Sequence, residues 1–143
     1  MPTDKETFAE KNPGAEIFLR ERTGGAVLLA VSPLRMVISI EGTIQSEDIV
    51  NVLKDAREVG LFRDDNFSAL VDMTNFTGVI DWRKIPEISE VMPKGETRTN
   101  KNAYVVRNDF FAMLAKINAV LFPKTQHATF KTEEDARQWL GWM

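Results

Sequence analysis

Three stretches decide the fold: Met36-Val37-Ile38-Ser39-Ile40, closed by Gly42; Ser46 to Gly60; and Phe67-Ser68-Ala69-Leu70-Val71-Asp72-Met73. The first and third are short apolar runs bounded by polar or turn residues, as buried strands are. In the second, Ile49, Val52, Leu53, Ala56 and Val59 recur on one side at helical spacing, while Glu47, Asn51, Lys54, Asp55 and Glu58 take the other. Ser46 suits the N-cap, Glu47 and Asp48 sit where the helix dipole favours anions, and Gly60 suits the C-cap. Strand, one-sided helix and strand predict a parallel βαβ unit.

Working towards the N-terminus, Ala26-Val27-Leu28-Leu29-Ala30-Val31 is a further buried strand. Ser32-Pro33-Leu34 turns the chain, and so short a connection predicts an antiparallel hairpin with the Met36 strand. Ile17 to Arg22 reads as a strand or a short helix, broken by Thr23-Gly24-Gly25. The first fifteen residues or so, with the turn Asn12-Pro13-Gly14, read as a loosely held tail.

Working towards the C-terminus, Thr74-Asn75-Phe76-Thr77-Gly78 is a loop. Pro86 is acceptable only in a first helical turn, so a helix is expected from about Pro86 to Met92, stopped by Pro93-Lys94-Gly95. Lys94 to Lys101 reads as polar loop and Ala103-Tyr104-Val105-Val106-Arg107 as a strand. Asn108 or Asp109 caps an apolar helix from Phe110 to about Phe122. Its expected core face is Phe110, Met113, Leu114, Ile117, Val120 and Leu121. A short strand, His127 to Phe130, is followed by Thr132-Glu133-Glu134-Asp135 at capping-box spacing and a helix with Ala136, Trp139 and Leu140 on one face. The expectation is an α/β fold: one mixed sheet of about five strands, an N-terminal antiparallel hairpin followed by β-α units. Residues 1–25 are read as a tail or extra element and 26–143 as the domain.

Composition narrows the chemistry. With 143 residues, 43% hydrophobic and 27% charged, the chain has the balance of one folded domain. It has no Cys, which excludes disulfides, thiolate metal sites and cysteine nucleophiles, and one His, which excludes every two-His metal set. No cofactor and no metal are expected. A net charge of −3 weighs against a nucleic-acid partner. No stretch approaches the roughly 18 apolar residues of a membrane span, and the polar start lacks a secretory signal's apolar core, so a cytoplasmic protein is expected.

The residues resemble a known family in three places. These are Val37-Ile38-Ser39-Ile40-Glu41-Gly42-Thr43-Ile44 running into Ser46-Glu47-Asp48; Leu70-Val71-Asp72-Met73 through Gly78 to Asp81-Trp82; and Phe130 to Leu140. Together, over roughly residues 26–141, they resemble the SpoIIAA-like fold shared by STAS domains and CRAL-TRIO lipid-binding domains. The last stretch is similar to the ending of small bacterial STAS-like proteins. The resemblance implies a non-enzymatic regulatory or protein-interaction module. The family offers a phosphorylatable Ser in an Asp-Ser-Ser-Gly pattern at the start of the helix after the third strand. Here Asp81-Trp82-Arg83-Lys84 stands instead, without hydroxyl or glycine, so switching by phosphate at that place is not expected.

Asp72, Thr74, Asn75, Phe76, Asp81, Trp82 and Arg83 lie where ligands gather in α/β sheets, at the carboxyl ends of strands. They are candidates for contacting a protein partner or, alternatively, a small apolar or anionic, lipid-like ligand near Trp82. The plainer reading is local: Asp72 bonds to loop amides and Asp81 caps a turn. His127 has no accompanying Ser or Cys motif. Seven basic residues, Lys94, Arg98, Lys101, Arg107, Lys116, Lys124 and Lys131, stand against two acidic ones between 94 and 131, on scattered elements that suit a solvated surface. In the Phe110–Phe122 helix, Phe111, Asn118 and Phe122 share a flank opposite Ala112, Ala115 and Ala119. That flank is a candidate homodimer contact, or a seat for the chain's own loop or tail.

Overall fold

The computed structural model describes residues 4–33, 35–60, 68–79, 81–91, 100–107, 116, 119–120 and 125–142. In chain order the elements are α1 (Lys5–Lys11), β1 (Glu16–Arg22), β2 (Gly25–Ser32), β3 (Arg35–Gly42), α2 (Ser46–Glu58), β4 (Ser68–Asp72), a 3-10 turn (Trp82–Lys84), α3 (Ile85–Val91), β5 (Asn100–Val105), β6 (Thr125–Phe130) and α4 (Glu133–Leu140). The strands form one mixed sheet in sequence order, β1-β2-β3-β4-β5-β6. β1, β2 and β3 are antiparallel neighbours; β3, β4, β5 and β6 run parallel.

The sheet therefore has six strands rather than about five. The extra one is β1, where local sequence left strand and helix open. Pairing with β2 decides the matter: Phe18 sits opposite Leu29 and Leu19 opposite Leu28. The tail is also firmer than expected. Asp4 caps α1 by accepting from the Thr7 amide at 2.7 Å, and Phe8 is buried in the core. Burying such a ring stabilises by roughly 1.5–3 kcal/mol, enough to hold one short helix down.

β2 is apolar without alternation because both faces of the sheet are covered. Val27, Leu29 and Val31 enter one core, with Met36, Ile38, Ile40 and the α2 residues Val52, Leu53 and Ala56. Ala26, Leu28 and Ala30 enter the other, with Phe8, Val37, Leu70 and the α4 residues Ala136 and Leu140. α2 and α3 pack together on the first face; α1 and α4 lie on the second. One lateral row, Phe18, Leu29, Ile38, Val71, Tyr104 and Thr129, crosses all six strands in register. Its neighbour on the other face is Leu19, Leu28, Ser39, Asp72, Val105 and Phe130. That second row carries Asp72 beside Ser39.

The helix α2 and the residue Val120 depart from their sequence reading. In α2 the buried apolar residues are Val50, Val52, Leu53 and Ala56, and Val59 is exposed. The helix leans on β1 and β2, which draws Val50 inward and leaves the last turn outside. Its N-cap is Gln45, not Ser46; the Gln45 amide donates to Asp48 Oδ2 at 3.2 Å. Val120, expected on a buried face, is 78% exposed. It lies one helical turn beyond exposed Lys116, on the same side. β5 also begins earlier than expected, at Asn100.

Candidate functional site

The carboxyl end of β4 leads into a segment, Asp72 to Lys84, tied to the scaffold along its length. Asp72, half-buried, accepts from the Thr74 amide at 2.9 Å and the Thr74 hydroxyl at 2.6 Å, closing an Asx-type turn. The Met73 amide donates to the Val105 carbonyl at 2.9 Å, and Arg107 donates to the Thr74 carbonyl at 3.4 Å. Gly42 then takes both sides of the loop: its amide donates to the Asn75 carbonyl at 2.8 Å and its carbonyl accepts from Thr77 at 2.9 Å. Phe76, between these bonds, turns its ring into the core and is 8% exposed. Gly78 is pressed against that ring; a Cβ there would lie 2.9 Å from Phe76 Cε1.

Gly42 is irreplaceable for two reasons. Its φ of +67° is a left-handed conformation that side chains resist, and an added Cβ would fall 1.9 Å from the Gly24 carbonyl oxygen.

The far end of the segment is held by α2. Ser46 is buried, and its hydroxyl accepts from the Asp81 amide at 3.0 Å. Asp81 in turn accepts from the Arg83 amide at 3.1 Å and pairs with the Arg83 guanidinium at 3.0 Å. These bonds hold the Asp81 carboxyl below its usual range. The Asp81 carbonyl accepts from Lys84 at 2.9 Å, winding the 3-10 turn that opens α3.

The structure thus joins Asp72 to Thr74 and Asp81 to Arg83. Among the described residues, no hydrogen bond or ion pair links one couple to the other. Asn75 is exposed and Phe76 is core. Trp82 opens the 3-10 turn, and its side chain lies outside the described set. Phe111, Asn118 and Phe122 lie outside the described residues. The surface of the segment is made by Asn75, Thr77, Val79 at 85% exposure and the Arg83 side chain at 90%.

Away from this segment, the Tyr104 hydroxyl lies 3.0 Å from His127 Nδ1, with the rings stacked at 5.9 Å between centroids. Burial pushes the Tyr104 hydroxyl well above its usual pKa, so it stays protonated. Neither residue has a nucleophilic Ser or Cys in its row of the sheet. Among the described residues no group of three or more His, Asp or Glu is placed to hold a metal ion, and no helix is long and apolar enough to cross a membrane. Sequence reading missed Glu41. It is 3% exposed and accepts from the Ser39 hydroxyl at 3.2 Å. Its signal was available: Ser39 and Glu41 alternate with Ile38 and Ile40, so they face the opposite side of the sheet.

The SpoIIAA-like family matches residues 35–141, from the first residue of β3 to the glycine that follows α4. The chain belongs to the SpoIIAA-like family. Among solved structures, an uncharacterised protein of the DUF3478 family from Shewanella loihica PV-4, with a SpoIIAA-like fold, is similar at a TM-score of 0.55 and 14% identity, covering 89% of this chain and 94% of that one. At that identity the likeness concerns the SpoIIAA-like fold alone. No curated protein matches the sequence.

Proposed function

We propose that this chain is a non-enzymatic regulatory or protein-interaction module whose contact surface is the segment from Asp72 to Lys84. The supporting observation is a rigid, outward-facing loop. Gly42 and Ser46 fix its backbone, while Val79 and Arg83 stand in solvent. An exposed apolar side chain and an exposed cation on a backbone held by hydrogen bonds bind with little ordering cost, which is what an interaction surface needs. The site lacks the hydroxyl at positions 81–84 that phosphate switching in the family would use. Control therefore rests on partner binding, in the cytoplasm.

The alternative, a small apolar or anionic ligand held at the strand ends near Trp82, is less favoured. The backbone groups that would line such a site are already bonded to Gly42 and Ser46. Homodimerisation through Phe111, Asn118 and Phe122 is a separate proposal, tested by light scattering. A monomer at tens of micromolar removes it.

The main reading is tested by affinity capture from the source cells, comparing wild type with Val79→Asp/Arg83→Glu. A partner held by the wild type and lost by the double variant supports it. A partner held equally by both, or no partner, defeats it.

A further inference from the structure

At the opposite end of the sheet, where β3 begins, a cleft of about 180 Å³ opens between α1, β3 and the end of α4. Buried Ala30 and Val37 supply an apolar floor, Asn12 and Ser32 add polar groups to the lining, and Lys11, Arg35, Arg137 and Trp142 complete it. Trp142 owes its position to the way α4 ends. Gly141 takes φ of +78°, its amide donates to the Gln138 carbonyl at 3.1 Å, and the Trp142 amide donates to the Arg137 carbonyl at 3.0 Å. This is a Schellman motif, which folds the chain back over its own last turn. The indole then has the Arg137 guanidinium 5.9 Å from its centroid and the Arg35 guanidinium 5.1 Å from it.

Among the described residues, the charge around this ring is compensated only in part. Glu133 engages Arg137 through Nε and Nη2, at 3.3 and 3.1 Å. Among the described residues, no carboxylate lies within ion-pair distance of Arg35 or Lys11. Two cations without a carboxylate partner among the described residues, an aromatic ring and an apolar floor thus meet in one cleft.

We propose that this cleft binds a small organic anion, a carboxylate or phosphate borne on an apolar body. Charge selects the headgroup, since Arg35 and Lys11 offer donors to an anionic oxygen. Size limits the body: a cavity of about 150 Å³ accommodates benzene, and this cleft is slightly larger. The site is separate from the Asp72–Lys84 surface and stands or falls independently of it.

The test is an amide and indole NMR titration of the full chain with benzoate, phenyl phosphate, inorganic phosphate and benzyl alcohol. A saturable shift of the Trp142 indole resonance is expected with benzoate or phenyl phosphate. Arg35→Gln should weaken it about tenfold, the loss of one charge-assisted contact, and Lys11→Gln should weaken it as well. Both side chains are exposed, so a dispersed spectrum of each variant is expected and checks the fold directly. No saturable shift with either organic anion overturns the proposal. So does equal binding of benzyl alcohol, which shows that charge is unused, or equal binding of inorganic phosphate, which shows that the apolar floor is unused. Unchanged binding by Arg35→Gln and Lys11→Gln also overturns it.

Discussion

Asp48 holds Arg22 by three hydrogen bonds of 2.8–3.0 Å, joining the end of β1 to the first turn of α2. The carboxylate is 95% screened from solvent, with a side-chain exposure of 5%, while the arginine side chain remains 55% exposed. The same carboxylate caps the Gln45 amide, so one residue serves the helix start and the sheet edge together.

Arg22→Ala should therefore destabilise the fold at neutral pH, because it leaves the screened Asp48 carboxylate without its partner. The effect should depend on pH with a definite sign. Chiefly through its hydrogen bonds with Arg22, Asp48 titrates below its ordinary 3.8. Its contribution is complete above that unfolded-state value and is lost as pH falls through the lower folded value. Urea melts of wild type and variant should converge in strong acid. A gap independent of pH would show that Arg22 acts by packing alone.

Gly42→Ala should be among the most damaging single changes in the chain, costing about 4 kcal/mol or preventing folding. Both its φ and the 1.9 Å approach to Gly24 oppose a side chain. Gly14→Ala is the control: its φ is +80° but nothing lies within 4 Å of an added Cβ. It should cost only the left-handed backbone penalty of about 1–2 kcal/mol. Equal losses in chemical denaturation would mean that the contact with Gly24 is unimportant.

Phe76 and Asn75 are neighbours with opposite roles. Phe76→Ala should lose about 3–5 kcal/mol, as a ring removed from a core does. Asn75→Ala should stay within about 0.5 kcal/mol, because Asn75 holds the loop through its backbone carbonyl. A stable Phe76→Ala protein would return the ring to the list of surface contacts.

Ser46→Ala removes the acceptor for the Asp81 amide. The expected loss is about 1 kcal/mol, concentrated in the loop. Hydrogen exchange at the Asp81 amide should accelerate while amides of β2 keep their protection. Uniform acceleration would place the effect on global unfolding instead.

Much of the architecture was legible in local sequence because periodicity reports which face is buried. The βαβ unit from Met36 to Met73, the hairpin before it and the Thr132-capped last helix are all of this kind. Thr132 does accept from the Asp135 amide, at 3.2 Å. The strand character of Ile17–Arg22 was not legible. Its alternation is weak, and only the ladder to β2 fixes it.

The candidate site divides along the same line. Sequence alone determined the class of fold and the lack of thiol chemistry. Local turn chemistry, readable from residue type, accounts for the bonds that Asp72 and Asp81 make. Tertiary structure alone decided that Phe76 is core, that Ser46 struts the loop rather than capping its helix, and that Trp142 lies against Arg35. Each of these depends on residues brought together across tens of positions, such as the 35 between Ser46 and Asp81. Short-range pattern carries no information about such pairs, because burial and hydrogen-bond partners are set by which elements the folded sheet places side by side.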